Sequence, residues 1–242
     1  MVEKFITESG IIISAITADQ MREVDRIAVE ETGPNLYQMM ENAGRSLALF
    51  ALDLMGDQWK QARYVVLSGT GGNGGGGICA ARHLANRDLN VRLVTTVPNK
   101  LGEVPARQRS IFRATVGKEV AIEELDDEPV DLVVDALIGY SLKGALKGPA
   151  LDLIRWANAQ QSLVLSLDVP SGVDATSGDS AGEYIDAAAI MTLALPKTGL
   201  IPEKTGILHL ADLGIPVSVY NKLGITYTDP FENRYRVGLR PA

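Results

Sequence analysis

Cysteine is almost missing from this chain: Cys79 is the only one in 242 residues. That excludes an intramolecular disulfide framework and any multi-cysteine zinc site, and it implies a reducing, cytoplasmic compartment. Histidine is nearly as scarce. Only His83 and His209 occur, neither beside a nucleophile motif, so Ser-His-Asp and Cys-His hydrolase systems have little to work with. Long apolar runs are absent too. The N-terminal stretch offers only residues 11–15, broken by Ser14, which is too short for a signal segment or a membrane span. Basic residues are outnumbered, 23 Lys and Arg against 30 Asp and Glu, for a formal net charge of −7. A general nucleic-acid binder is therefore disfavoured, leaving only a local patch at Arg82, Arg87 and Arg92 to consider.

What is present is the balance of an ordinary globular protein, 46% hydrophobic and 22% charged, read as one domain over 1–242. Apolar residues at helical spacing predict helices over 17–32, with Thr17 or Asp19 as cap, and over 36–55. Short apolar runs then alternate with amphipathic segments: strand 63–68, helix 78–87, strand 90–96, helix 106–116, strand 131–137, helix 150–159 and strand 162–169. Strands over 187–195 and 206–213 follow, and 226–242, without clear periodicity, reads as a surface-draped tail. Runs such as Leu132-Val133-Val134 lack strict alternation, as expected of strands covered on both faces. The pattern gives an α/β fold, a doubly wound sheet between helices, preceded by two N-terminal helices.

Seven of the 24 glycines fall within residues 69–77, directly after the 63–68 strand. Gly69, Gly71 and Gly74 satisfy G-x-G-x-x-G, whose glycines allow a tight turn and let backbone N–H groups approach a phosphate. An ordinary NAD dehydrogenase would carry an acidic residue at the end of the second strand, where this chain has Val94, Thr95 and Thr96. A P-loop is excluded by Ile78 and Cys79, which stand where Lys and Ser or Thr are needed. Two later strand ends carry carboxylates: Asp135, leading into Gly139-Tyr140-Ser141-Leu142-Lys143-Gly144, and Asp168, leading into Pro170-Ser171-Gly172. In an open α/β sheet these ends share one crevice. Asn73, Asp135 and Ser171 offer oxygen donors without imidazole or thiolate, a set suited to a hard cation, and Asp168 remains for acid–base work. Each carboxylate taken alone could equally be a turn-former. Lys197, in LALPKTGL, reads either as a crevice residue or as a solvated turn lysine, and Tyr37, Met39 and Met40 as packing residues.

ITADQMREVDR, MMENAGRS, the glycine run, DALIGYSLKG, LDVPSGVD, MTLALPKTGL and ADLGIP follow one another over about 16–216. In that order they resemble the NAD(P)H-hydrate epimerases, the YjeF N-terminal domain family. The resemblance implies a three-layer α/β/α Rossmann-like fold, commonly dimeric, that interconverts the R and S epimers at C6 of hydrated NADH or NADPH, with an NAD(P)H-hydrate dehydratase as functional partner. It implies a potassium ion on Asn73, Asp135 and Ser171. It implies substrate contacts from Gly72, Asn73, Gly74, Gly75 and Gly76, and from Gly139, Tyr140, Ser141, Leu142, Lys143, Gly144 and Ala145. Asp168 is the implied substrate-contacting and catalytic carboxylate. The family loop usually reads Gly-Asn-Asn-Gly-Gly-Asp-Gly; here Gly72 replaces the first Asn and Gly76 the Asp. That departure keeps a second expectation in play, a catalytically impaired nucleotide-binding, dimerising module of the same fold.

Overall fold

The computed structural model describes residues 1–125 and 129–242. Its strands are β1 (Lys4–Thr7), β2 (Ile12–Ser14), β3 (Arg63–Ser68), β4 (Asn90–Thr95), β5 (Lys118–Glu119), β6 (Leu132–Ala136), β7 (Leu163–Leu167), β8 (Ala189–Leu193), β9 (Ile207–Ala211) and β10 (Arg236–Pro241). Its α-helices are α1 (Ala18–Ile27), α2 (Leu36–Met55), α3 (Gly72–Ala85), α4 (Glu103–Phe112), α5 (Pro149–Ala159) and α6 (Val217–Lys222). The strands form one sheet in the order β2-β1-β10-β9-β8-β7-β6-β3-β4-β5. The pairs from β9 to β5 are parallel, and β10, β1 and β2 extend the sheet antiparallel. From β3 the chain moves outward to β4 and β5, then returns to place β6 on the other side of β3, so the topological switch lies between β3 and β6.

The sheet sorts its side chains into two layers. Tyr64 and Val66 of β3 join a core with α2 and α3, whereas Val65 and Leu67 join the opposite core, which α1, α5 and α6 complete. An apolar run without visible alternation thus still obeys the two-residue period, because both faces are covered. α1 and α2 begin where their caps dictate: Thr17 with Gln20, and Asn35 with Gln38, each form a reciprocal capping box. A π-helical turn over Ala28–Thr32 carries α1 to the predicted end of its segment.

Two expectations are corrected. The tail is no surface drape, because β10 is inserted between β9 and β1 with Val237 and Leu239 buried; its alternation is only a few residues long, too short to read. The other correction concerns α3, which starts at Gly72 and not near Ile78, so most of the glycine run is helix. Glycine lowers helix propensity by roughly 1 kcal/mol per residue relative to alanine, but tertiary contact overrides that here. A Cβ on Gly75 would lie 2.4 Å from Met40 Sδ, one on Gly77 2.4 Å from Ala136 Cβ, and one on Gly44 of α2 2.4 Å from Cys79 Cβ. The glycines let α3 press against α2 and the sheet together. Gly72 is the exception, with only Met40 Cε at 3.6 Å. Gly72→Ala should therefore fold normally and gain up to about 0.5 kcal/mol in urea unfolding, through lost freedom of the unfolded chain.

The same helix pair holds a polar knot. Arg82 donates to both oxygens of Glu41 at 2.7 and 2.6 Å, and His83 Nε2 lies 2.7 Å from Glu41 Oε1. Cys79 Sγ is within reach of both Arg82 and Glu41. These groups have the types of a metal site, but the guanidinium already sits among them and supplies the cation. Burial pushes the Cys79 thiol up to about 12, leaving it unreactive. Burial also opposes ionisation of Glu41, yet the hydrogen bonds from Arg82 and His83 win and hold its carboxyl at about 2, down from 4.5. A lowered folded-state value means that the stability is present above pH 4.5 and drains as pH falls towards 2. Glu41→Gln should flatten the decline of the thermal midpoint across that window. The effect should stay below about 1 kcal/mol, because solvent reaches the Glu41 side chain.

Candidate active site

At the carboxyl ends of the parallel strands lies a cavity of about 640 Å³. The turn into α3 (Thr70 to Asn73), the turn after β6 (Gly139 to Ser141), Asp168 after β7 and Lys197 beyond β8 form its floor. Met21 and Asp25 of α1, Met39 and Met40 of α2, and Val104 and Pro105 of α4 wall it. An apolar enclosure with a few convergent polar groups is the usual form of a small-molecule site. Gly71 precedes α3 without a side-chain cap, so the first-turn N–H groups are free for an anion.

The tightest feature of the floor is a buried ion pair. Lys197 Nζ lies 2.5 Å from Asp168 Oδ1, with Lys197 0% and Asp168 2% exposed. Lys197 Nζ also donates to the Leu193 carbonyl at 2.8 Å, while Asp168 Oδ2 accepts from the Tyr140 N–H at 3.0 Å. Asp168 sits at φ 73°, a left-handed conformation that Asp and Asn tolerate better than most residues and that turns its carboxylate back towards the Gly139-Tyr140 turn. Gly139 is required there, because a Cβ on it would lie 2.8 Å from Asp168 Oδ2 and 3.0 Å from Asn73 Oδ1. These distances bring three strand ends to one point.

Beside this pair the Tyr140 hydroxyl donates to Asp25 Oδ2 at 2.5 Å. Burial raises the Asp25 carboxyl above its ordinary value, against the opposing pull of the Tyr140 hydrogen bond and the Lys197 charge. Burial, then the Asp25 charge and hydrogen bond, push the Tyr140 phenol further from ionisation.

Asp135 and Ser171 lie beneath the cavity and not in its lining, both 0% exposed. Asp135 accepts from Ser171 Oγ at 2.5 Å, the Ser171 N–H at 2.9 Å, Ser166 Oγ at 2.8 Å and the Leu137 N–H at 3.2 Å. Burial raises its carboxyl and these hydrogen bonds oppose the rise. All four donors are neutral, so none offsets the charge of the carboxylate. Asn73 presents Oδ1 towards Gly139, while its buried Nδ2 has no hydrogen-bond partner. The oxygen donors of Asn73, Asp135 and Ser171, with no imidazole or thiolate among them, have the chemistry that fits a hard cation.

Of the substrate-contacting positions implied by resemblance, Gly72, Asn73, Gly76, Gly139, Tyr140, Ser141 and Asp168 line the cavity. Gly74 and Gly75 are buried in the first turn of α3, and Leu142, Lys143, Gly144 and Ala145 continue the turn outside the lining, the last three exposed. Sequence reasoning leaves Lys197 undecided and misses Asp25. An apolar flank on both sides of Lys197 is the available signal for burial. Asp25 gives none, being one acidic residue on the polar side of a helix far upstream. Met39 and Met40, read as packing, are cavity wall. The basic patch does not exist as a surface, since Arg82 is engaged by Glu41 and Arg92 is 4% exposed.

Comparison with known proteins accords with this geometry. Residues 36–199 match the family model described as YjeF-related protein N-terminus. The chain is 52% identical over 240 residues to an NAD(P)H-hydrate epimerase of Dehalogenimonas lykanthroporepellens, spanning 99% of this chain and 98% of that one. It is 36% identical over 233 residues to a bifunctional NAD(P)H-hydrate repair enzyme of Hyperthermus butylicus, spanning 92% of this chain and 42% of the longer protein. The crystal structure of yeast ynu0 superposes with a TM-score of 0.82 at 22% identity, over 93% of this chain and 100% of that one, and shows the same fold. The family match takes in the glycine turn, both carboxylate-bearing strand ends and Lys197, and near-full-length identity runs through and beyond it: the chain belongs to the family of the YjeF-related protein N-terminus.

Proposed function

We propose that this chain is an isomerase of nicotinamide nucleotide repair, interconverting the R and S epimers at C6 of hydrated NADH and NADPH. Near-full-length identity to an NAD(P)H-hydrate epimerase supports the reading. The observation that carries it in the site is the Asp168–Lys197 pair on the floor of the switch-point cavity, beside the uncapped start of α3. A dinucleotide can lay its diphosphate on those N–H groups and its hydrated ring over Asp168.

The chemistry asked of the site is modest. C6 of the hydrate bears a hydroxyl and adjoins the ring nitrogen, so the nitrogen lone pair can expel the hydroxyl once it is protonated, and water can return to either face. No hydride moves, which agrees with Val94 to Thr96 standing where a dehydrogenase holds its ribose-binding acid. Asp168 relays the proton, held in place by Lys197 and the Tyr140 N–H. Asn73, Asp135 and Ser171 would hold a potassium ion, which when bound supplies positive charge against the buried Asp135 carboxylate. An NAD(P)H-hydrate dehydratase is the natural consumer of the S epimer; the family's longer bifunctional members support that pairing. A homodimer in the cytoplasm completes the reading; no helix among the described residues is long and apolar enough to cross a membrane.

Gly72 and Gly76 both line the cavity, and their missing side chains favour the rival reading of a binding module without turnover. One experiment separates the two. Chromatographically purified S-NADHX should return to its equilibrium mixture about 10²-fold or more faster with the protein than in buffer. Choline in place of potassium should slow that return. Binding of the hydrate without acceleration would select the module.

A further inference from the structure

Besides Asp168 and the exposed Glu30 and Glu103, the lining of the cavity holds a half-buried carboxylate that the reading above leaves without a task. Asp25 comes from α1, outside the glycine turn and outside the strand ends, yet it lines the same cavity as Asp168 and receives the Tyr140 hydroxyl at 2.5 Å. Tyr140 is fixed at both ends: its backbone N–H is bound to Asp168 Oδ2, and its ring lies 6.0 Å from Lys197 Nζ. A phenol that gives its proton to a carboxylate keeps its oxygen as a hydrogen-bond acceptor, and Tyr140 lines the cavity.

The reaction calls for such a group. Epimerisation through loss and return of water has two proton transfers at C6, on opposite faces of the ring. On loss, the C6–O bond breaks, its electron pair leaves with the hydroxyl, a protein acid supplies the proton that makes it water, and the nitrogen lone pair forms the N=C6 bond. On return, a water oxygen bonds to the other face of C6, the N=C6 pair goes back to nitrogen, and a protein base takes the spare proton. One carboxylate locked to an ammonium cannot stand on both faces. An enzyme running both directions has use for two proton-handling groups whose roles exchange with direction.

We propose that Tyr140 and Asp25 form the second proton-handling pair of this cavity: the phenol meets the C6 hydroxyl or the returning water, and Asp25 is the positioning residue behind it that takes up and returns the proton. The inference rests on the epimerase reading. In one direction a proton passes from Asp25 through the Tyr140 hydroxyl to the leaving oxygen and Asp168 receives the proton of the incoming water; in the other, the order reverses. Solvent exchange resets the two carboxyls between turnovers. Burial, which raises the Asp25 carboxyl, makes it a better proton acceptor than a free aspartate.

The test compares wild type, Asp25→Asn, Tyr140→Phe and the double variant, each assayed with R-NADHX and with S-NADHX in potassium buffer. In Asp25→Asn the side-chain amide oxygen can still accept the Tyr140 hydrogen bond but cannot take its proton, so geometry is kept and the relay is cut. Each single variant should lose about 10²-fold in kcat with KM within about threefold of wild type and an unchanged thermal midpoint. The double variant should be no slower than the slower single, because the two groups act as one unit. Asp25→Glu should restore part of the rate. An unchanged kcat in Asp25→Asn, or losses that multiply in the double variant, would overturn the inference. So would a rate loss in Tyr140→Phe that comes with a matching rise in KM or fall in thermal midpoint. A wild-type protein that does not beat the spontaneous rate would overturn the epimerase reading itself and this inference with it, a result visible before any variant is made.

Discussion

Asp168→Asn is expected to bring epimerisation down to the spontaneous rate, a loss of about 10²-fold or more, and to lower the melting temperature at the same time. The first effect follows from removing the group that exchanges the proton. The second follows from what remains: Lys197, 0% exposed, keeps its ammonium in the interior with its carboxylate partner gone. Breaking one side of a buried ion pair costs about 3–5 kcal/mol, and at about 2–4 °C per kcal/mol for a chain of this size the midpoint falls by roughly 6–20 °C. Asparagine is the right replacement because it tolerates the φ of 73° at this position, so backbone strain adds little. The two effects can be separated. Asp168→Asn combined with Lys197→Met removes the stranded charge and should regain most of the lost stability in a thermal melt, while the epimerisation rate stays at background. An active Asp168→Asn enzyme, or a double variant as unstable as the single, would contradict this account of the pair.

Gly74→Ala should be, with Gly69→Ala, among the most damaging of the small substitutions in the glycine run. A Cβ at Gly74 would stand 2.0 Å from the Gly69 carbonyl oxygen, and Gly69 is itself so close to the turn after β6 that its own Cβ would meet the Leu137 oxygen at 1.8 Å. The obstacles are backbone atoms, which cannot swing aside as a side-chain tip can. The end of β3, the first turn of α3 and the turn after β6 must therefore separate, with a destabilisation of about 3 kcal/mol or more in urea unfolding, and the cavity floor is lost with them. Gly72→Ala, two residues earlier, should leave stability intact. Equal unfolding midpoints for the two variants would refute the view that these glycines are held by close packing.

That contrast marks how far the sequence can be read. Strand β3 and helix α2 are legible to the residue, because apolar periodicity, caps and flanking turns agree there. The crevice is legible too, since Asp135, Asp168 and the glycine run each close a strand and parallel strands end on one edge. The start of α3 is not. Its first six residues, five glycines and Asn73, have poor intrinsic helix propensity, and contacts with α2, α4 and the sheet, invisible in sequence, make them helical. Strand β10 escapes for a related reason, since β1, one of its two pairing partners, lies at the other end of the chain. In the site, the carboxylates are found by position, but their environments are not. Asp135 reads as lying over the crevice and is sealed below it, and Lys197, which reads as solvated as readily as it reads as a crevice residue, is wholly buried. The meaning of the two departures from the family loop also shifts: Gly72 and Gly76 add no loose loop, because both belong to a packed helix and face the cavity.

The central claim is that this cavity catalyses epimerisation and does more than bind a nucleotide. Its most direct test is a coupled one: purified protein, R-NADHX, potassium and an excess of a dehydratase specific for the S epimer, with NADH followed by absorbance. The account predicts NADH recovery well above the rate at which R-NADHX epimerises unaided, proportional to the amount of protein added. Recovery at the unaided rate, whatever the protein concentration, would contradict it.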